Sequence, residues 1–372
     1  MIKIGITGQA GFIGTHLYNY LGLKKEVVVR IPLQDDFFSD QAKLEKFVKQ
    51  CDAIVHLAAL NRHNDPQTIY DTNIGLVRKL IEALENTGSK PHILFSSSTQ
   101  EDRDNIFGKS KREGRDLLAK WAEKSGAPFT GLIIPNVFGP FGNPYYNSVV
   151  ATFSHQLAHN EEPKIDIDAE LKLIYIGDLV GIIYRAIFNK ECEREFRVPH
   201  TKEIKVTEVL ERLQNFKSLW FDNGIFPDLH DTFERNLFNT FVCYIDHASY
   251  FPYKLKQSVD ERGSFVESVK LNSGGQVSFS TTKPGITRGN HFHTRKTERF
   301  AVIKGKALIQ LRKVGTDHVL NFELDGRTPS YVDMPVWYTH NITNTGDEDL
   351  YTIFWISEIF DSSDPDTYFE MV

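Results

Sequence analysis

The chain has only three cysteines, Cys51, Cys192 and Cys243, and none stands at the close spacing of a metal or redox motif. So odd and sparse a set builds no disulfide framework and suits a reducing compartment. No run approaches the roughly 20 apolar residues of a membrane span, and no charged leader precedes the apolar opening Ile2–Ile6. A basic excess is missing too. Lys and Arg number 43 against 49 Asp and Glu, a net charge of -6, which argues against nucleic acid or an anionic membrane as partner. Internal repeats and low-complexity segments are absent as well. The expectation is a cytoplasmic globular protein, and 372 residues favour two domains.

What is present falls into two regimes. Up to about residue 190, short β-branched runs (Val27–Val29, Ala53–Leu57, Ile93–Phe95, Thr130–Ile134) alternate with segments of helical period (Gly11–Leu21, Gln41–Gln50, Thr72–Asn86, Lys109–Lys124). That alternation predicts an α/β fold of Rossmann type, a doubly wound parallel sheet covered on both faces. The Leu- and Phe-rich stretch Val206–Phe241 has helical period and reads as a cap on that sheet. Beyond Asp246–Lys256 come short alternating strands such as Gln276–Thr281, Phe300–Val302, Ala307–Leu311 and Tyr351–Ile356, an all-β pattern. The expected domains are 1–246 and 247–372.

The first strand runs into Gly8-Gln9-Ala10-Gly11-Phe12-Ile13-Gly14 and then a helix. In such a turn Gly8 permits the tight bend, Gly11 lets backbone N–H groups approach a pyrophosphate, and Gly14 lets the helix pack on the strand. The helix N-terminus adds partial positive charge. Where an NAD enzyme places a carboxylate after the second strand, this chain has Arg30, which suits the 2′-phosphate of NADPH.

These glycines resemble those of the extended short-chain dehydrogenase/reductases. Further matches are His56-Leu57-Ala58-Ala59, Asn73, Asn136-Val137-Phe138-Gly139-Pro140 and Tyr175-Ile176-Gly177-Asp178. The resemblance implies that Gly8, Gly11, Phe12, Ile13, Gly14, Ala58 and Ala59 line the cofactor, that Asn73 supports the site, and that Asn136 meets substrate. The arginine that often precedes the Asn-Val run by three residues is replaced by Ile133.

The family reduces carbonyls with a Tyr and a Lys four residues later on one helical face, plus an upstream Ser or Thr. Lys111 and Ser98 stand where expected, but Phe107 occupies the tyrosine position. Phenylalanine donates no proton, and loss of a general acid costs roughly 100- to 10,000-fold in rate. Three explanations stand open: an introduced substitution, favoured because every surrounding element is retained; natural loss of reduction; or another donor, such as Tyr145 or Tyr146.

In the C-terminal part, His291-Phe292-His293, Glu298 and His340 form a candidate ligand set. Residues two apart in a strand share a face, and three imidazoles with a carboxylate suit Zn, Fe, Ni or Mn, with Zn the first choice. The spacing resembles the two cupin motifs, with Trp337 where Gly is common, so the C-terminal fold is expected to be the all-β double-stranded β-helix of cupins. Asp260-Glu261-Arg262-Gly263-Ser264-Phe265-Val266-Glu267 and Thr287-Arg288-Gly289-Asn290-His291 are similar to segments of cupin-fold nucleotide-sugar 3,5-epimerases. That likeness implies Arg262 and Arg288 as substrate ligands and His291 as a catalytic position, although those epimerases lack the metal ligands kept here.

Reductase followed by cupin resembles the bifunctional capsular polysaccharide epimerase/reductases of CapF type. The implied chemistry is C-3 epimerisation of a UDP-2-acetamido-2,6-dideoxy-4-hexulose at the cupin. NADPH reduction of C-4 then gives UDP-2-acetamido-2,6-dideoxy-β-L-talose, on the route to N-acetyl-L-fucosamine. The implied assembly is a homo-oligomer, taken as a homodimer, without membrane or nucleic-acid partners. Two alternatives carry other functions: a reductase of another 4-keto nucleotide sugar with a structural cupin, and a non-catalytic sugar-binding protein.

Overall fold

The computed structural model describes residues 1–372 except 34, 256, 261–262, 267–268, 272–274 and 359–360, with backbone alone for 35–36, 257–260 and 263–266. It divides into two compact units. One comprises Met1–Phe138, Gly142–Val149 and Ala169–Lys205; the other comprises Gly139–Phe141, Val150–Asp168 and Val206–Val372. Among the described residues no helix is long and apolar enough to cross a membrane.

The first unit is built on β1 (Ile2–Thr7), β2 (Val28–Ile31), β3 (Ala53–His56), β4 (His92–Ser98) and β5 (Phe129–Ile134). With the short strand Phe196–Arg197 they form a six-stranded sheet in the order β2-β1-β3-β4-β5 and then 196–197, every neighbour parallel. The strands β3 and β5 are buried at every residue, as covering on both faces requires. Between them run α1 (Phe12–Gly22), α2 (Gln41–Val48), α3 (Pro66–Thr87) and α4 (Ile106–Ser125). Leu44, Phe47, Leu80, Ile93, Leu118 and Trp121 close the layer between sheet and helices. Each fully buried large apolar side chain there contributes about 1.5–3 kcal/mol.

The helix α3 begins six residues before the sequence expectation of Thr72. Asp65 caps it, accepting from the backbone N–H of Gln67 and Thr68, and Pro66 supplies a preset first-turn φ. Asn105 caps α4 in the same way, its Oδ1 2.7 Å from Gly108 N.

In the second unit two five-stranded antiparallel sheets form the expected cupin arrangement. One has the order 253–254, 330–334, 298–304, 350–356, 276–282; the other has 319–325, 306–313, 338–344, 287–292, 368–369. The helices Val206–Phe216 and Thr232–Val242 belong to this unit, not to the parallel sheet that the sequence suggested they cap. Residues 206–246, which the sequence grouped with the first domain, thus lie in the second compact unit, as do 139–141 and 150–168. The physical reason lies on the outer face of the 298–304 sheet. Trp355 and Tyr331 need an apolar cover, and the buried Asp333 needs donors. Phe226 packs on Trp355 at 3.7 Å between ring centroids, Trp220 Nε1 donates to Asp333 at 2.9 Å, and Arg299 Nη1 donates to the Gly224 carbonyl at 3.0 Å.

Candidate functional site

A cavity of about 850 Å³ opens at the carboxyl ends of β1, β3, β4 and β5, all within the first unit. Its floor is the glycine turn. Gly8 has φ +71, and a Cβ there would meet Ala58 N at 2.7 Å; a Cβ on Gly14 would collide with the Gly8 carbonyl. Side chains are therefore excluded at both positions, which brings the N-terminus of α1 to the cavity. Of the residues singled out in the sequence, Gly8, Gly11, Phe12, Ile13, Gly14, Ala58, Ala59, Ser98, Phe107, Lys111 and Asn136 line this one cavity.

Phe107 and Lys111 sit one turn apart on α4 and share its inner face. The Lys111 Nζ donates to the Ser96 carbonyl at 2.8 Å and lies 5.7 Å from the Phe107 ring centroid. Only 5% of Lys111 is exposed, and burial pushes its ammonium down to about 8. His56 is buried too, with Nδ1 2.7 Å from Thr7 Oγ1; burial, and then the Lys111 charge, push it down to about 3. The imidazole is thus neutral and the ammonium is the local cation at neutral pH.

Two expected cofactor residues stand outside the cavity lining. Arg30 turns back on α1, its guanidinium 4.0 Å from the Tyr18 ring centroid and its Nη1 3.1 Å from the Tyr18 carbonyl. Asn73 is buried beneath the site. Its Oδ1 accepts from Leu60 N at 2.7 Å, and its Nδ2 donates to the Leu60 carbonyl and Ser110 Oγ, so it holds the chain after Ala59 in place. Sequence reasoning missed Asn61, Arg62, Asn105, Asn143 and Asn147, which also line the cavity. The Asn-rich loop after Gly139-Pro140 was the signal for the last two. Of the two tyrosines on that loop, Tyr146 lines the cavity; Tyr145 is half exposed, and its carbonyl accepts from Arg62 at 2.9 Å.

In the second unit His291, His293, Glu298 and His340 converge, one ligand atom from each lying within 4.8 Å of all the others. All but the half-buried His291 are buried. The Glu298 Oε2 lies 3.2 Å from His293 Nε2 and 3.1 Å from His340 Nε2, yet none of these three buried atoms makes a well-aligned hydrogen bond. Burial would raise the Glu298 carboxyl, but the two imidazoles outweigh it and hold the group below the usual carboxylate range. Burial, with His340 and His293, pushes His291 down to about 4, which leaves it neutral. Neutral imidazole, carboxylate and orphaned buried lone pairs form a donor set that fits a divalent transition metal.

The strand Thr287–Phe292 carries a bulge. Arg288 opposes Ile342, Gly289 opposes Asn341, and His291 opposes His340, which leaves Asn290, with φ 58, as the extra residue. Directly opposed residues share a face. The bulge therefore puts Arg288 and His291 on the His340 face although they are three positions apart, with Arg288 exposed. The Arg262 called from the sequence lies outside the described residues.

The NAD dependent epimerase/dehydratase family matches residues 4–198, and the polysaccharide biosynthesis C-terminal domain matches residues 258–368. Over 369 residues the chain is 34% identical to a Pseudomonas aeruginosa protein described as UDP-2-acetamido-2,6-beta-L-arabino-hexul-4-ose reductase, covering 99% of this chain and 98% of that one. Among solved structures, the capsular polysaccharide assembling protein CapF from Staphylococcus aureus is 37% identical, with a TM-score of 0.64 and 100% of both chains covered.

Proposed function

The chain belongs to the NAD-dependent epimerase/dehydratase family in its CapF-type, two-domain form, and from that premise we propose a bifunctional nucleotide-sugar enzyme. Its substrate is a UDP-2-acetamido-2,6-dideoxy-4-hexulose, epimerised at C-3 on the cupin and then reduced at C-4 in the Rossmann unit. The product is UDP-2-acetamido-2,6-dideoxy-β-L-talose, for N-acetyl-L-fucosamine of capsular polysaccharide. Epimerisation comes first because the ketone that acidifies the neighbouring C–H is consumed by reduction. The reading is carried by one observation: a glycine-turn cavity that ends on Lys111 and a largely buried His3Glu cluster occur in a single chain.

Bound NADPH supplies hydride, and bound zinc supplies Lewis acidity. The residues supply the rest. Backbone N–H groups of the Gly8–Gly14 turn would receive the dinucleotide phosphates, and Arg30 would supply the positive charge that suits a 2′-phosphate. The Lys111 ammonium holds the nicotinamide ribose and favours negative charge developing on the C-4 oxygen, to which Ser98 donates. Phe107 brings no proton, so reduction is slow. At the cupin His291, His293, Glu298 and His340 hold the metal, while Arg288 and Arg262 bind the anionic substrate. In this role His291 serves as a ligand, which occupies the nitrogen a proton-abstracting base needs.

The test is the 4-hexulose in heavy water with zinc-loaded protein, following C-3 deuteration by NMR and NADPH oxidation in parallel. C-3 exchange with slow NADPH oxidation is expected. Zinc-loaded protein that neither exchanges C-3 nor, as Phe107→Tyr, oxidises NADPH overturns the reading.

A further inference from the structure

The tail of the chain crosses the turn between two of the metal-ligand candidates. His293 Nδ1 lies 2.6 Å from the Asp366 carbonyl. A carbonyl only accepts, so Nδ1 carries a proton, and Nε2, which faces Glu298 and His340, is the nitrogen left to offer its lone pair to a metal between them. The Asp366 side chain secures the same turn. Its Oδ1 accepts from Thr294 N at 3.1 Å and from Thr294 Oγ1 at 2.6 Å, and its Oδ2 accepts from Arg295 N at 3.0 Å. Next to it, Lys296 Nζ donates to the Pro365 carbonyl at 2.6 Å and Arg295 Nη2 to the Asp364 carbonyl at 2.9 Å. Residues 293–296 lead directly into the strand that begins at Glu298.

Asp366 is 2% exposed and has φ 40, a left-handed conformation that L side chains other than Asn and Asp seldom adopt. Its backbone is held there by contacts made in both directions, carbonyl to His293 and carboxylate to Thr294 and Arg295. More than one anchor is needed to keep a residue in such a conformation.

We propose that Asp366 is a positioning residue of the metal centre: through its carbonyl it sets the tautomer of His293, and through its carboxylate it holds the turn that spaces His293 from Glu298. The C-terminal segment is then a clasp on the metal site, and metal affinity depends on a residue that touches no metal. This rests on the metal reading of the proposed function.

The probes are zinc, by competition with a chromophoric chelator, and cobalt, by its d–d absorption in the intact chain. Asp366→Ala is expected to weaken zinc about 10- to 100-fold, the usual worth of an outer-shell partner, and to lower the cobalt band intensity as His293 turns away. Asp366→Asn, which tolerates the same φ and keeps one acceptor for Thr294, should fall between the two. Thr294→Val, which removes one bond and leaves the backbone donors, should lose the least and covers the case in which Asp366→Ala does not fold. Cobalt spectra and zinc affinities of Asp366→Asn and Thr294→Val identical to the unmodified chain overturn the clasp while leaving the metal centre standing. Failure of the unmodified chain to bind either metal overturns the metal reading and the clasp with it.

Discussion

Lys111→Met separates what the buried ammonium costs the fold from what it does in the cavity. An ammonium lowered from 10.5 to about 8 carries an unfavourable burial of about 3 kcal/mol, at about 1.4 kcal/mol per factor of ten. Methionine keeps the length and removes the charge, but it gives up the 2.8 Å bond to the Ser96 carbonyl, worth about 1 kcal/mol. The net expectation is a gain of about 2 kcal/mol, or a rise in Tm of about 4–8 °C for a unit of this size. The gain depends on pH. Between pH 8 and 10.5 the unfolded chain binds more protons at this lysine than the folded one, so the unmodified protein recovers stability as pH rises. The advantage of Lys111→Met is therefore full below pH 8 and fades by about pH 10.5. Scanning calorimetry of both proteins at neutral and alkaline pH measures it, while NADPH oxidation by Lys111→Met should be abolished. A variant less stable than the parent at pH 7, or a Tm difference that ignores pH, refutes the argument that the cavity holds a destabilising charge for its chemistry.

Phe107→Tyr restores a hydroxyl at a cavity-lining position one turn from Lys111 and should raise NADPH oxidation with the 4-hexulose by about 100-fold or more; fast turnover by the unmodified chain would point to another donor, with Tyr146 the tyrosine placed to serve. Arg30→Ala should narrow the preference for NADPH over NADH by about tenfold, the worth of one charge-assisted hydrogen bond, and equal Kd values for both cofactors in the parent would remove the basis for that reading. Asp333→Ala leaves the 1%-exposed Arg299 guanidinium without its carboxylate and should destabilise the C-terminal unit by about 3–5 kcal/mol, measured by urea unfolding. Chelation of the metal should abolish C-3 exchange and lower the Tm of the C-terminal unit together, both restored by zinc.

Much of the site was legible because its chemistry is written in short spacings. Three glycines between a strand and a helix, Phe107 and Lys111 at one helical turn, and His291, His293 and Glu298 close together each constrain their own neighbourhood whatever lies elsewhere. Periodicity was equally local, so the strands and helices of the parallel sheet appeared close to their observed limits, and α3 was read short because the Asp65-Pro66 start signal lies outside its apolar pattern. The rest depends on residues far apart in the chain. A helical period says that Val206–Phe241 has an apolar face, but not which sheet that face covers; Asp333 and Trp355, more than 90 residues away, decide it. Arg288 and His291, three apart, belong on opposite faces of a regular strand, and only the bulge at Asn290 brings them to the same one. Arg30 reads as a phosphate ligand by position, whereas its rest state on Tyr18 is a matter of packing. The proton position on His293 depends on a tail carbonyl and the lowered pKa of Lys111 on burial, and both follow only once the chain has closed on itself.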